Sequence, residues 1–284
     1  MKNQSFQSKI IYILIAIIVG LLIVINRMNY KDTNIVQKEL IETVDKKKDT
    51  KSHKLSPETP PPLVKGIIGL IIDDFGYRND EISDGFLNLD AKLTYAIIPG
   101  HEYSNTFGKK AVNKGYEVIV HMPLENNSDF EGEENFVLQS SMDNETIQNR
   151  VRLAFDQIPE AIGMNNHQGS KASADQHVMS NIARVLKSKN LFFIDSRTTV
   201  KTVAESTMEV FNIPTSRRNV FLDNESNETK ILAQLLFLSQ VAEEKGSAIG
   251  IGHVKQKTLN VLQKQIPELQ KKGFKFEFVS NMLH

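Results

Sequence analysis

Residues Ile71–Gly76 read IIDDFG, two adjacent carboxylates directly after the apolar run GIIGLII of Gly66–Ile72. Seven apolar residues without interruption suit a strand buried on both faces, the kind found in parallel sheets. A charged pair at the end of such a strand needs a reason, and the rest of the chain supplies one.

Outward from that strand, short apolar runs alternate with segments of helical period. Further strands are predicted at Leu93–Ile98, Tyr116–Val120, Ala161–Met164, Leu191–Ile194, Val220–Leu222, Ala248–Ile251 and Phe274–Val279. Between them, Ile147, Val151, Ala154, Phe155 and Ile158 share one helical face, and Val178, Ile182, Val185 and Leu186 share another. Ile231, Leu235, Leu238 and Ala242 form a third, closed by Gly246; Leu259, Leu262, Ile266 and Leu269 form a fourth, closed by Gly273. This alternation predicts a mostly parallel sheet with helical crossovers, curled into a deformed (β/α) barrel of about seven strands, with an open doubly wound sheet as the alternative. No P-loop or GxGxxG element is present, so a nucleotide cofactor has no support.

Residues able to do chemistry recur at the carboxyl ends of these strands. Asp73 and Asp74 follow the first, His121 follows YEVIV, Asn165, Asn166 and His167 follow AIGM, Asp195 follows LFFI, Asp223 follows VFL, and His253 follows AIGIG. In a parallel α/β fold those ends converge on one face, where active sites form. Taken singly, each has a structural explanation such as a helix cap. Taken together, carboxylates and imidazoles at one mouth predict a divalent metal site, zinc being the ion this donor set suits best.

The series IIDDFG, LTYAIIPG, HMPLE, MNNHQGS, FFIDSRTT and GIGH resembles, in order and spacing, the divergent polysaccharide deacetylases, over about Val64–His284. That resemblance implies a deformed α/β barrel in which Asp73 is the catalytic base and Asp74 a metal ligand. His121 matches the first residue of an H-x3-H ligand motif, but Glu125 stands at the second. A carboxylate binds the same ions, so Glu125 is expected to be a ligand as well. His253 resembles the histidine of a late Leu-x-His motif that protonates the leaving amine. The arginine motif that orients the base is missing where AIGMNNHQGS stands. His167 occupies that region, either as a further ligand or as a brace between loops. Asp195 and Arg197 could supply the orientation instead, the guanidinium gripping Asp73 through two hydrogen bonds, or could form a structural ion pair. His101 and His177 are expected to be structural or surface groups, and His53 and His284 take no role.

The implied reaction is metal-assisted hydrolysis of N-acetyl groups on a polysaccharide. The alternative is a carbohydrate-binding or envelope-interaction protein that kept the barrel and lost turnover, as Glu125 and the missing arginine motif suggest.

Upstream of the barrel the chain is different in kind. Ile10–Ile25 is a 16-residue run without a charge, flanked by Lys2 and Lys9 before and Arg27 after. As a helix it spans about 24 Å, slightly less than a bilayer core of about 30 Å. The following NRMNYKDT offers no small-x-small cleavage site, so residues 1–26 are read as an uncleaved membrane anchor. Residues 27–65, with KKKDTKSHK and SPETPPP, cannot bury a core and read as a flexible tether to the domain at 66–284. The domain is then expected outside the cytoplasmic membrane. Of the 284 residues 24% are charged and the net charge is zero, which gives no field to attract nucleic acid. Cysteine is absent, which excludes disulfides, thiolate metal sites and a cysteine nucleophile.

Overall fold

The computed structural model describes residues 64–127, 133 and 135–284. The expected anchor at Ile10–Ile25 and most of the tether lie outside the described residues, and among those no helix is long and apolar enough to cross a membrane.

Nine strands form one sheet: β1 (Gly66–Phe75), β2 (Thr94–Ile97), β3 (Glu117–Leu124), β4 (Gly163–Gln168), β5 (Phe192–Asp195), β6 (Thr215–Arg217), β7 (Val220–Phe221), β8 (Ser247–His253) and β9 (Phe274–Phe276). Their order is β6-β5-β4-β3-β2-β1-β8-β7, every pairing is parallel, and β9 joins the start of β1. The two ends of that order are consecutive in the chain. Arg218 N–H donates to the Asp195 carbonyl and Asn219 N–H to that of Ile249, so the segment from β6 through β7 bonds β5 with its first half and β8 with its second. The sheet therefore curls round on itself, as the alternation of elements predicts.

Strand β6 escaped the sequence reading because its residues, Thr-Ser-Arg, are short and polar. Three helices escaped it too, at Glu81–Phe86, Ser104–Asn113 and Ala204–Val210. The four amphipathic segments are helices as expected, at Asn144–Gln157, Gln176–Lys189, Glu228–Lys245 and Gln256–Lys271. Asp143, Asp175 and Asn227 cap the first three by accepting hydrogen bonds from backbone N–H groups of the first turn.

Side-chain alternation divides each strand between two apolar layers. Ile68, Leu70 and Ile72 of β1, Val118 and Val120 of β3, Met164 and Phe193 pack outward against the helices. Ile71, Ala96, Ile119, Phe192, Ile194, Ile249 and Ile251 fill the barrel interior with Val279 from the C-terminal 3-10 turn. That turn plugs the amino-terminal end. A Cβ on Gly69 would lie 2.7 Å from Met282 Sδ and 3.1 Å from Val279 Cγ1, so the strand must be bare there for the plug to seat.

Candidate active site

Asp73 shares the inward parity of Ile71 on β1, as His121 does that of Ile119 on β3 and His253 that of Ile251 on β8. On β4 the inward positions are Asn165, directly opposite His121, and His167. Alternation therefore delivers all five side chains into the mouth of the barrel.

Asp74 should by the same rule point outward. It does not follow the rule, because the chain advances three residues on β1, from Ile72 to Phe75, for two on β2, from Tyr95 to Ile97. Within this bulge Asp74 takes a left-handed backbone with φ 70°, an uncommon conformation for a side chain other than glycine. The extra residue turns the second carboxylate back into the mouth beside the first. The paired aspartates are adjacent because a bulge there lets neighbours in sequence face one site.

Asp74 Oδ1 lies 3.4 Å from His121 Nε2 and 3.3 Å from His167 Nδ1, and the two ring nitrogens are 3.1 Å apart. Nevertheless Asp74 Oδ1 is buried without a hydrogen bond of good geometry to any group. Around it stand a carboxylate and two imidazoles whose donor atoms all lie within 4.8 Å of one another. His121 Nδ1 is 2.7 Å from Asn165 Oδ1, an acceptor, so Nδ1 carries a proton and Nε2 is turned to the cluster; burial opposes the imidazolium, Asp73 and Asp74 favour it, and an ion bound there would take the place of the Nε2 proton. An orphaned oxygen and a directed ring nitrogen are what a divalent ion needs, and the residues fit one.

Burial opposes charge on Asp74, but the hydrogen-bonding pull of His121 and His167 and the positive charge of His121 and His253 outweigh it and hold the carboxyl far below its usual range. Asp73 is only 2% exposed, and there burial wins: its pKa is raised despite His121, His253 and the Asn165 amide, which donates to Oδ1 at 2.9 Å. Two adjacent carboxyls are thus driven apart in acidity. His253 Nδ1 is 2.7 Å from Asp223 Oδ1, and Asp223 Oδ2 accepts from His253 N–H and the Thr258 hydroxyl. Burial lowers the His253 pKa, but Asp223 and the paired aspartates more than compensate and raise it.

Three predicted residues do not join the cluster. Glu125 lies just past the end of β3, and its carboxylate accepts from Lys171 Nζ at 2.7 Å and Ser140 N–H at 2.9 Å. Those partners occupy it as a loop brace, while His167 stands with Asp74 and His121 as the third donor. Arg197 does not grip Asp73: among the described residues Asp73 has Asn165 as its side-chain hydrogen-bond donor and forms an ion pair only with His121. Asp195 has the outward parity of Phe193 and is used by its own loop, accepting from Arg197 N–H and the Thr202 hydroxyl. The orienting roles fall instead to Asn165 and Asp223, which stand at strand ends in the sequence but carry no motif of their own. His101 Nε2 lies 3.0 Å from Glu133, and His177 Nε2 lies 3.0 Å from the Met142 carbonyl.

A cavity of about 380 Å³ opens over the cluster, lined by Asp73, His121, His167 and His253 together with Arg197, Arg218 and Phe221. The fold and this mouth define a parallel α/β barrel with a metal-type site of one carboxylate and two imidazoles. The chain belongs to the divergent polysaccharide deacetylase family, whose profile matches residues 70–283. It is 33% identical over 208 residues to the uncharacterized protein YibQ of Escherichia coli K12, covering 73% of this chain and 65% of that protein. The chain therefore spans just under two thirds of that relative. An uncharacterized protein of Haemophilus influenzae is also 33% identical, over 71% of this chain and 72% of its own length. The crystal structure of an uncharacterized protein from Agrobacterium tumefaciens C58 shares the fold with a TM-score of 0.72 at 19% identity, covering 78% of this chain and 91% of that one.

Proposed function

We propose that the domain is a metal-dependent hydrolase that removes N-acetyl groups from a polysaccharide. The observation that carries this reading is the convergence of Asp74 Oδ1, His121 Nε2 and His167 Nδ1 beside the separately held, buried Asp73. Asp74, His121 and His167 would hold a divalent ion, zinc by the nature of the donors, which when bound supplies Lewis acidity and a water of lowered pKa.

The chain's own groups divide the proton transfers. Asp73, its Oδ1 fixed by Asn165, accepts a proton from the attacking water, and its raised pKa moves it toward the range where a general base works best. His253 is locked by Asp223 with Nδ1–H donating outward, which leaves Nε2 facing the mouth, 3.9 Å from Asp74 Oδ2. As an imidazolium it gives the Nε2 proton to the amide nitrogen as the C–N bond breaks. The hydroxyl of water ends on acetate and the proton on the amino sugar.

Acetate release from N-acetylated glycans by the full chain, before and after chelation, tests the proposal. Release that stops on chelation supports it. A chain that holds metal and glycan but releases no acetate contradicts it and favours a non-catalytic carbohydrate-binding protein, a reading encouraged by the engagement of Glu125 with Lys171 and Ser140. We further propose that Ile10–Ile25 tethers the domain outside the cytoplasmic membrane. An alkaline phosphatase fused to the C-terminus should then be active in cells, and an inactive fusion beside an active cytoplasmic reporter would contradict the placement.

A further inference from the structure

In the wall of the cavity that Asp73 lines stand two guanidinium groups, those of Arg197 and Arg218, that form no ion pair among the described residues. Arg218 Nε donates to the Ser196 carbonyl at 2.6 Å and Nη2 to the Arg197 carbonyl at 3.0 Å, while the guanidinium carbon lies 4.7 Å from the centre of the Phe221 ring. Phe221 in turn meets His253 edge-on, with ring centres 5.2 Å apart. The plane of the Arg218 fork is fixed from two sides, and Nη1 makes no hydrogen bond among the described residues.

Arg197 has a left-handed backbone, φ 52°, pinned by its N–H to Asp195 Oδ1 at 2.8 Å. That conformation is uncommon for a long side chain, and Arg197 stands in the cavity wall. Arg78 is paired with Asp80 and Arg217 with Glu205, whereas Arg152 bonds Asn149 and Gln148 and Arg184 lies over Phe211 away from this cavity. Burial opposes the charge on Arg218, Asp73 and Asp195 favour it, and Arg197 beside it opposes it again. Two like charges in a partly enclosed wall are poised for an anion from outside.

Resting on the hydrolase reading above, we propose that the glycan is acidic: a carboxylate on the sugar that carries the N-acetyl group, or on its neighbour, docks against Arg218 and Arg197. The fork of Arg218 matches a planar carboxylate, and Asp73 nearby disfavours an anion of higher charge.

Titration calorimetry of the full chain tests this with three probes: a glycan strand alternating N-acetylglucosamine and N-acetylmuramic acid, the same strand with its carboxyls reduced to alcohols, and a phosphorylated strand. The native strand should bind about 10-fold more tightly than the reduced one. Arg218→Gln should remove that preference while leaving affinity for the reduced strand unchanged, and Arg218→Lys should restore only part of it. Arg197→Gln should lessen the preference; because the Arg197 side chain makes no hydrogen bond among the described residues, this variant keeps the test sound if Arg218→Gln fails to fold.

Equal affinity for native and reduced strands, tighter binding of the phosphorylated strand, or a preference that survives in Arg197→Gln/Arg218→Gln would overturn the assignment. Acetate release, measured separately, tells the two readings apart. Preference without release supports the anion site and removes the hydrolase; release from native and reduced strands alike, without preference, does the reverse.

Discussion

Asp73 and Glu117 both lie inside the barrel, one at its mouth and one at its floor, and burial raises the pKa of each. Their surroundings differ. Glu117 Oε1 accepts from the Thr94 hydroxyl at 2.8 Å and from Ser280 N–H at 3.3 Å, and the neighbouring Glu277 is paired with Lys92. This end has its hydrogen-bonding needs met by the C-terminal plug. At the mouth, Asp74 Oδ1 is buried and unsatisfied, two imidazole nitrogens stand 3.1 Å apart beside it, and Asp74, Gln168 and Arg197 have left-handed backbones. At the mouth a carboxylate oxygen among candidate metal donors is left unmet, whereas the carboxylate that seals the floor has its partners. Size is a poor guide: a larger cleft of about 710 Å³ near Lys92 and Phe276 contains no group of carboxylates and imidazoles.

The largest effect should separate the two ends by activity. Asp73→Asn keeps the shape and the three metal donors but removes the base, so turnover should fall about 10²- to 10⁴-fold with metal content unchanged. Steady-state acetate release beside metal analysis checks this. A loss of metal as large as the loss of rate would mean that Asp73 is a ligand.

At the floor the expectation is reversed. Glu117→Ala leaves the Thr94 hydroxyl and Ser280 N–H without their acceptor, at a cost of about 1–3 kcal/mol in chemical denaturation, while metal content and the rate per folded molecule stay the same. Metal loss in a folded Glu117→Ala protein would show that the two ends are coupled.

A smaller effect concerns pH. His253 is raised above its ordinary 6.5, with the Asp223 hydrogen bond the first cause after opposing burial, so its acid form and the stability of the pair persist below that pH and are lost as pH rises through the folded value. Asp223→Asn removes the charge and lowers the His253 pKa, so the alkaline limb of the pH–rate profile should move to lower pH. A shift to higher pH, or none, would remove His253 from the role of acid.

Much of this comparison was legible in sequence. Parity alone carries Asp73, His121 and His253 inward, since each stands two residues beyond an apolar residue of the interior layer. The bulge at Asp74 was not legible, because a one-residue insertion depends on how β1 registers with β2. Asp195 misled because β5 has only four residues, too few for a pattern to say whether 194 or 195 faces inward. Arg218 was hidden in SRRN, a polar stretch that becomes wall only when β6 and β7 join opposite ends of the sheet order.

The resemblance implies Glu125 as a ligand and offers His167 as a further one; His167 stands with Asp74 and His121, while Glu125 is held by Lys171 and Ser140. Metal content per chain therefore tests the central claim most directly, compared between wild type, His167→Gln and Glu125→Gln. The geometry predicts about one divalent ion bound by wild type and by Glu125→Gln, and loss of tight binding in His167→Gln. Metal kept by His167→Gln and lost from Glu125→Gln would contradict it.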